Sequence, residues 1–443
     1  MKNKYFPVIG LEIHVELETK TKMFCACSAN HFNKEPNTQT CPVCLGLPGA
    51  LPVPNQEALR RTILLALSLH CQINTETWFD RKNYFYPDLA KGYQITQFFR
   101  PLGKNGQIIL HSNEVKKPEK IIRIKEIHLE EDTAKSIIKD HYRQLDFNKS
   151  GVPLMEIVSQ PDITTALEAK IYGQQIQQIV KRLKISSANM AQGQMRLEAN
   201  ISLKKKESDP LPNYRVEIKN INSFRYLQQA IEYEIERQSK RLDNCQTIPQ
   251  QTRGFNADKK ITYLQRSKEN AYEYRYFPEP DIPPLDLDKL FDLRKIEKSL
   301  PLSPAEARKR LIRNYRLSPY QAKILVEKYP QAEKTFKIAI HDKINIADVA
   351  NAIINKDFSL KKIGPKAFIR KLKKKGDISF IEGEKLNKLC QQILKENPLI
   401  VEKYHHGKTS VLGFFIGQIQ QKTKGKANVS QAKKYLMKLL KSE

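Results

Sequence analysis

From Val8 to Leu17 the chain alternates without a break. Leu11, Ile13, Val15 and Leu17 are apolar, and Glu12, His14 and Glu16 lie between them. A strand turns successive side chains to opposite faces, so this pattern commits one face to a core and places two carboxylates and an imidazole together on the other. Met195 to Leu203 repeats it, setting Met195, Leu197, Ala199, Ile201 and Leu203 against Arg196, Glu198, Asn200 and Ser202. Tyr214 to Ile218 alternates too, with Arg215, Glu217 and Lys219 on the polar side. The polar linker 204–213 holds two prolines and predicts an antiparallel hairpin with a longer loop. A half-exposed strand ordinarily has a solvated polar face. A mixture of Glu, His, Asn and Arg, rather than a Lys/Thr/Glu surface set, suits cation and phosphate chemistry.

Helices are predicted between the strands. Thr165 and Glu168 fit a capping box, followed by an apolar stripe of Leu167, Ile171, Ile176, Ile179, Val180 and Leu183. A second helix follows Asn222-Ser223, with Phe224, Leu227, Ile231 and Ile235 on one side. The fold class is therefore α+β, with helices packed on a largely antiparallel sheet. From about Leu293 the texture turns helical, beyond the break Pro280-Asp281-Ile282-Pro283-Pro284. A second boundary is expected near Ile363-Gly364-Pro365, with a basic run from Lys366 to Lys375 after it.

Lys and Arg number 76 against 48 Asp and Glu, a formal balance of +28. Such a surplus suits a polyanion such as nucleic acid, although a generally Lys-rich composition gives the same number. No apolar run approaches the roughly 18 residues of a spanning helix, and the N-terminus lacks the apolar segment of a signal peptide. The chain is expected to be soluble and cytoplasmic, with no membrane role.

Four stretches carry candidate chemistry. His128-Leu129-Glu130-Glu131-Asp132 concentrates carboxylates that a cation would stabilise; it is either a solvated acidic turn or part of a magnesium pocket where Glu12, His14, Glu131 and Glu156 could meet. The stretches Asp80–Asp88 and Tyr274–Asp281 mix Arg and Lys with Tyr and Phe, a set able to hold phosphate and stack on a base. Cys25, Cys27, Cys41 and Cys44 have the count and proximity of a closed structural zinc site, which leaves no open position for catalysis. Gly407-Lys408-Thr409 ends like a P-loop, but Glu402 stands where the earlier glycine is required. No Gly/Ser-rich amidase loop is present.

Gly10 to Leu17, Asp80 to Asp88, His128 to Asp132, Glu217 to Phe224 and Tyr274 to Asp281 together resemble the GatB family, the B subunits of the aspartyl/glutamyl-tRNA(Asn/Gln) amidotransferases. Gly417-Gln418 and the run Thr423 to Asn428 extend the resemblance nearly end to end. It implies a cradle-like catalytic domain over 1–292, an all-α helical domain over 293–364, and a basic helical tail over 365–443 that binds tRNA. It also implies a heterotrimeric enzyme, in which the partners of this chain are an amidase and a small third protein. Misacylated Glu-tRNA(Gln) or Asp-tRNA(Asn) is phosphorylated on its side-chain carboxylate with ATP and magnesium, then amidated by ammonia channelled from glutamine.

By the same resemblance Glu12, His14, Glu131 and Glu156 match the magnesium and phosphorylation site, and Lys82 and Lys91 match polar residues near the channel outlet. Arg81, Asn83, Lys219, Asn220 and Asn222 fall in matching motifs and are assigned to substrate or nucleotide. Three places depart from the family pattern: Gln192 stands where a Glu is usual, Glu198 where an Asp is usual, and the stretch Gln251 to Asn256 departs from the usual Glu-Thr-Arg. The competing readings are a non-catalytic tRNA-binding scaffold and a free-standing carboxylate ligase.

Overall fold

Strand β1 (Phe6–Glu16) forms where the alternation predicts it and takes the centre of a nine-stranded sheet. The computed structural model describes residues 4–111, 119–267, 273–357, 359–376, 383–405, 411–423, 427 and 429–442. The chain divides into two units, Met1–Lys309 and Arg310–Glu443.

In the first unit β1 is followed by β2 (Gln72–Ile73), β3 (Glu76–Thr77), β4 (Asp80–Asn83), β5 (Tyr93–Thr96), β6 (Gly103–His111) and β7 (Glu119–Glu131). Then come β8 (Lys135–Lys139), β9 (Tyr142–Asp146), β10 (Pro153–Ser159), β11 (Met195–Lys204) and β12 (Val216–Ile221). The last are β13 (Gln251–Asn256), β14 (Ile261–Ser267), β15 (Phe277–Pro278) and β16 (Leu285–Asp286). The helices of this unit are α1 (Gln56–Ser68), α2 (Ala166–Arg182), α3 (Phe224–Asp243), α4 (Leu287–Leu290) and α5 (Leu293–Lys298).

The large sheet runs β14-β13-β12-β11-β1-β10-β7-β6-β2. Its pairs are antiparallel except β12 with β13, which are parallel and joined through α3, as a parallel pair requires a crossover. The predicted hairpin is β11–β12. Its second strand starts at Val216, because the Tyr214 hydroxyl takes the Leu203 N–H at 3.0 Å and draws Tyr214 out of the ladder.

Ile9, Leu11, Ile13 and Val15 enter the core with Ile63 of α1, Ile176 of α2 and Ile231 of α3. All three helices thus cover one face of the sheet. Thr165 Oγ1 accepts from Glu168 N at 3.1 Å, and the Glu168 carboxylate reaches back to Thr164 N at 2.8 Å, one residue earlier than a capping box prescribes. Ser223 caps α3 by accepting from Tyr226 N at 3.1 Å.

Leu293 and Ile296 of α5 pack against this core. The first compact unit therefore runs on to Lys309, because these apolar residues still have a partner surface beyond the proline break. The second unit comprises α6 (Pro304–Tyr315, which begins just before it), α7 (Pro319–Lys328), α8 (Ala332–His341), α9 (Ile346–Ile354) and α10 (Leu360–Gly376). It continues with α11 (Gly383–Glu396), α12 (Pro398–His405), α13 (Leu412–Lys422) and α14 (Val429–Ser442).

Gly364, at φ 74°, and Pro365 kink α10. The core does not end there: Phe368 and Ile369 pack with Phe336 and Ile353, whereas a separate core gathers Leu386, Cys390, Phe415 and Leu436. Residues on both sides of the Gly364-Pro365 pair share one core, because such a pair redirects a helix without exposing its apolar face. Gly407-Lys408-Thr409 lies outside the described residues, as does most of the run Thr423 to Asn428.

Candidate active site

The face of the sheet opposite α1–α3 is polar across five strands. Cross-strand register aligns His14 with Glu156 and Arg196, Glu12 with Glu198, Glu156 with His128, and Asn200 with Glu217. Residues directly opposite in an antiparallel pair have adjacent side chains. The alternation therefore turns five separate segments into one patch.

Two acidic groups form there, Glu12–Glu198–Glu217 and His14–Glu130–Glu156, each with ligand atoms within 4.8 Å of one another. His14 Nε2 lies 3.4 Å from Glu156 and 3.6 Å from Glu130, and His128 Nε2 lies 3.2 Å from Glu156. Asn200 Nδ2 donates to Glu12 at 2.8 Å, Thr252 Oγ1 donates to Glu217 at 2.8 Å, and Lys219 sits 2.9 Å from Glu198 and 3.2 Å from Glu217.

The electrostatics divide the carboxylates into two kinds. Burial opposes ionisation of Glu156, yet His14 and His128 hold it well below the ordinary range. Burial likewise works against a proton on His14, but Glu156 and then Glu130 outweigh it and hold its pKa up at about 9. Glu130 is pushed up by burial and by Glu156, and Glu12 by burial and by Glu156, Glu198 and Glu217. Glu12 and Glu130 are thus carboxylates short of positive charge. Buried His14 Nδ1, His128 Nδ1 and Asn200 Oδ1 have no hydrogen-bond partner among the described residues. Under-neutralised carboxylates and orphaned polar atoms on one face fit a polar ligand with a hard cation, for which oxygen donors are suited.

Three of the four residues expected in a magnesium pocket share this patch, and Glu131 does not. Its pairing residue on β10 is Pro153, and its parity is that of Leu129 and Ile127, which point into the core. Its carboxylate accepts from Lys91 and from Ile95 N, the latter at 3.1 Å. It borders a cavity of about 190 Å³ with Cys25, Cys44, Gly46, Lys91 and Tyr93. Glu130 takes the place foreseen for Glu131. The alternation Ile127-His128-Leu129-Glu130 held that signal, since Glu130 shares a face with His128. Glu217 and His128 were also missed as site members.

Lys82 and Lys91, expected together, lie on different sides. Lys82 belongs to the polar patch: burial disfavours its charge, but Glu130, Tyr276 and Glu156 hold its pKa up, and Tyr274 lies 5.0 Å from its Nζ. Arg81 is held by Glu279 through two bonds at 2.8 and 2.7 Å and stacks over Tyr93, and Asn83 donates to Arg275 O at 2.8 Å. Both therefore fasten β4 to the 274–281 segment. Lys219 stays in the patch. Asn220 lies on β12, with its side chain outside the described residues, and Asn222 lines a cavity with Lys181 and Asn189 before α3. Glu198 keeps its carboxylate in the patch on a longer stem, while Gln192 is exposed on a short 3₁₀ turn.

Cys25, Cys27, Cys41 and Cys44 bring their sulfurs within 4.8 Å of one another, and all four are free thiols. Zinc–thiolate bonds of about 2.3 Å place tetrahedral sulfurs about 3.8 Å apart, so the donor set fits zinc.

The GatB/GatE catalytic domain family matches residues 7–291, and the GatB domain family matches 305–440. Proteins named as the B subunits of aspartyl/glutamyl-tRNA(Asn/Gln) amidotransferases are similar throughout. Those of Thermotoga maritima and Persephonella marina are each 40% identical over 99% of this chain and 100% of their own length. That of Thermodesulfovibrio yellowstonii is 39% identical over the same shares. Among the described residues no helix is long and apolar enough to cross a membrane.

Proposed function

We propose the function of this chain from one premise: it belongs to the GatB family, the B subunits of aspartyl/glutamyl-tRNA(Asn/Gln) amidotransferases. On our reading the polar face activates the side-chain carboxylate of Glu-tRNA(Gln) or Asp-tRNA(Asn). A carboxylate oxygen attacks the γ-phosphorus of ATP, giving an acyl phosphate and ADP. Ammonia then attacks the acyl carbon and expels phosphate. The ammonia comes from glutamine, hydrolysed by a partner amidase, and a small third protein completes the assembly.

The observation that carries this reading is the convergence of Glu12, Glu198 and Glu217 beside His14, Glu130 and Glu156 on the face that the helices leave uncovered. Glu12, Glu198 and Glu217 would hold magnesium, which when bound neutralises charge on a transferring phosphoryl group. Lys219 and Lys82 supply positive charge at opposite ends of the patch, suited to phosphate oxygens. His14 and His128 keep Glu156 ionised and fixed. Tyr274 and Tyr276 beside Lys82 offer ring faces for the substrate end. The cysteine loop is read as a structural zinc site.

The test is ATP-dependent transamidation of Glu-tRNA(Gln) by the assembled enzyme carrying E12Q or E217Q. Loss of phosphoryl transfer with tRNA binding retained is expected. Full activity in both variants would overturn the assignment.

A further inference from the structure

Lys22 has no exposed surface at all. A buried ammonium is costly unless an anion offsets it and its N–H groups find acceptors. Among the described residues no carboxylate lies within ion-pair distance of it. Its Nζ instead lies 3.5 Å from Cys44 Sγ and donates to Phe147 O at 3.2 Å.

Its backbone is fixed as firmly. Lys22 N donates to Cys27 O at 2.9 Å, and Asn55, which caps α1, donates to Lys22 O at 3.1 Å. Cys44 is the most enclosed of the four clustered cysteines. Its sulfur also receives the Cys41 N–H at 3.2 Å, and Ser150 Oγ donates to its carbonyl at 3.1 Å.

Four thiolates around a divalent zinc carry a net charge of −2. Three of the four cysteines are only partly buried, so solvent reaches that side of the cluster. Cys44 itself is buried, and the cation within hydrogen-bond reach of its sulfur is Lys22. We propose that Lys22 is a positioning residue of the four-cysteine centre, offsetting its negative charge and hydrogen-bonding the Cys44 thiolate. This rests on the reading of that cluster as a zinc site. It explains two features together: a lysine deep in the fold with no carboxylate partner among the described residues, and an anionic centre whose Cys44 thiolate is buried. An N–H···S bond draws electron density from the sulfur, so it weakens the competition of protons and electrophiles for that thiolate.

The test uses the full-length chain with its zinc. Release of zinc to a chelator is followed in wild type, K22M and K22R, and the sulfur-to-metal charge-transfer band is recorded after cobalt(II) replaces zinc. K22M should release zinc about 10-fold faster or more, the scale of losing a partner that orients a metal ligand. Its band should move to lower energy, because a thiolate without its donor gives up an electron more easily. K22R, which keeps both charge and donor, should stay close to wild type in both readouts.

If K22M does not accumulate as folded protein, K22L takes its place, since it likewise removes both the charge and the donor. Wild-type release and an unmoved band in the folded variant would overturn the role of Lys22. A wild-type chain that binds no zinc would instead overturn the zinc reading, so the two failures are distinguishable.

Discussion

His14 and Glu156 are direct partners across the β1–β10 ladder, and His14 Nε2 lies 3.4 Å from the Glu156 carboxylate. The pair has a consequence for stability against pH. The imidazole is raised from 6.5 to about 9, so its contribution is fully present below pH 6.5 and is lost as pH rises through 9. Glu156 is held below 4.5, so its contribution is present above that pH and is lost as pH falls beneath it. Metal-free protein should therefore lose up to about 3 kcal/mol between about pH 6.5 and 9.5. Melting temperature measured across that range should fall for wild type and stay flatter for H14Q. Equal slopes would contradict the pairing.

Glu130 and Glu131 are adjacent in sequence and should respond in opposite ways to neutralisation. Burial and Glu156 already push the Glu130 carboxyl up, so E130Q should change stability little. Glu131 forms a buried ion pair with Lys91, whose side chains are 4% and 11% exposed. E131Q leaves that ammonium without its carboxylate and should cost about 3 kcal/mol. Denaturant unfolding of the two variants decides it, and equal stability would count against the separation of the two faces.

Phosphoryl transfer should depend on the acid-only group. On the proposed reading E12Q or E217Q removes a carboxylate that would hold magnesium, whose neutralising effect is worth several kcal/mol, so the rate should fall roughly 100-fold or more. Titration with magnesium should show the required concentration rising in the same variants. An unchanged magnesium dependence would show that these carboxylates do not hold the cation.

The second unit predicts where a truncation is tolerated. A chain ending after Gly376 keeps Phe368 and Ile369 against Phe336 and should retain that helical core while losing the one built on Leu386, Phe415 and Leu436. A chain ending at Ile363 loses both residues, and deleting large buried side chains costs about 2–5 kcal/mol each. On the tRNA-binding reading of the tail, both chains should bind tRNA more weakly than the full chain, and only the longer should show an intact second core by hydrogen exchange.

Arg81 should behave as a structural clamp. Glu279 is fully buried and takes two hydrogen bonds from it, so R81A leaves a carboxylate without its counter-charge. A loss of about 3 kcal/mol is expected, with the KM for ATP unchanged in the folded fraction. A raised KM without destabilisation would make it a nucleotide residue after all.

The strands of the site were legible from the chain alone. Alternation from Val8 to Leu17 and from Met195 to Leu203 settled which side chains share a face, because pleating makes that a local property with a period of two residues. The same rule, carried through Ile127 to Glu131, assigns Glu130 rather than Glu131 to the polar side. The zinc-fitting cysteines were legible too, since spacing alone brings each close pair together. What the chain could not specify was adjacency: β1 lies between β10 and β11, so residues 12, 156 and 198 meet although long stretches of sequence separate them. That choice belongs to the packing of the whole sheet against α1–α3, where burial of one common apolar face fixes every register at once. Only there did the acidic residues sort into one group around Glu12 and another around His14, and only there did Lys22 find sulfur instead of a carboxylate.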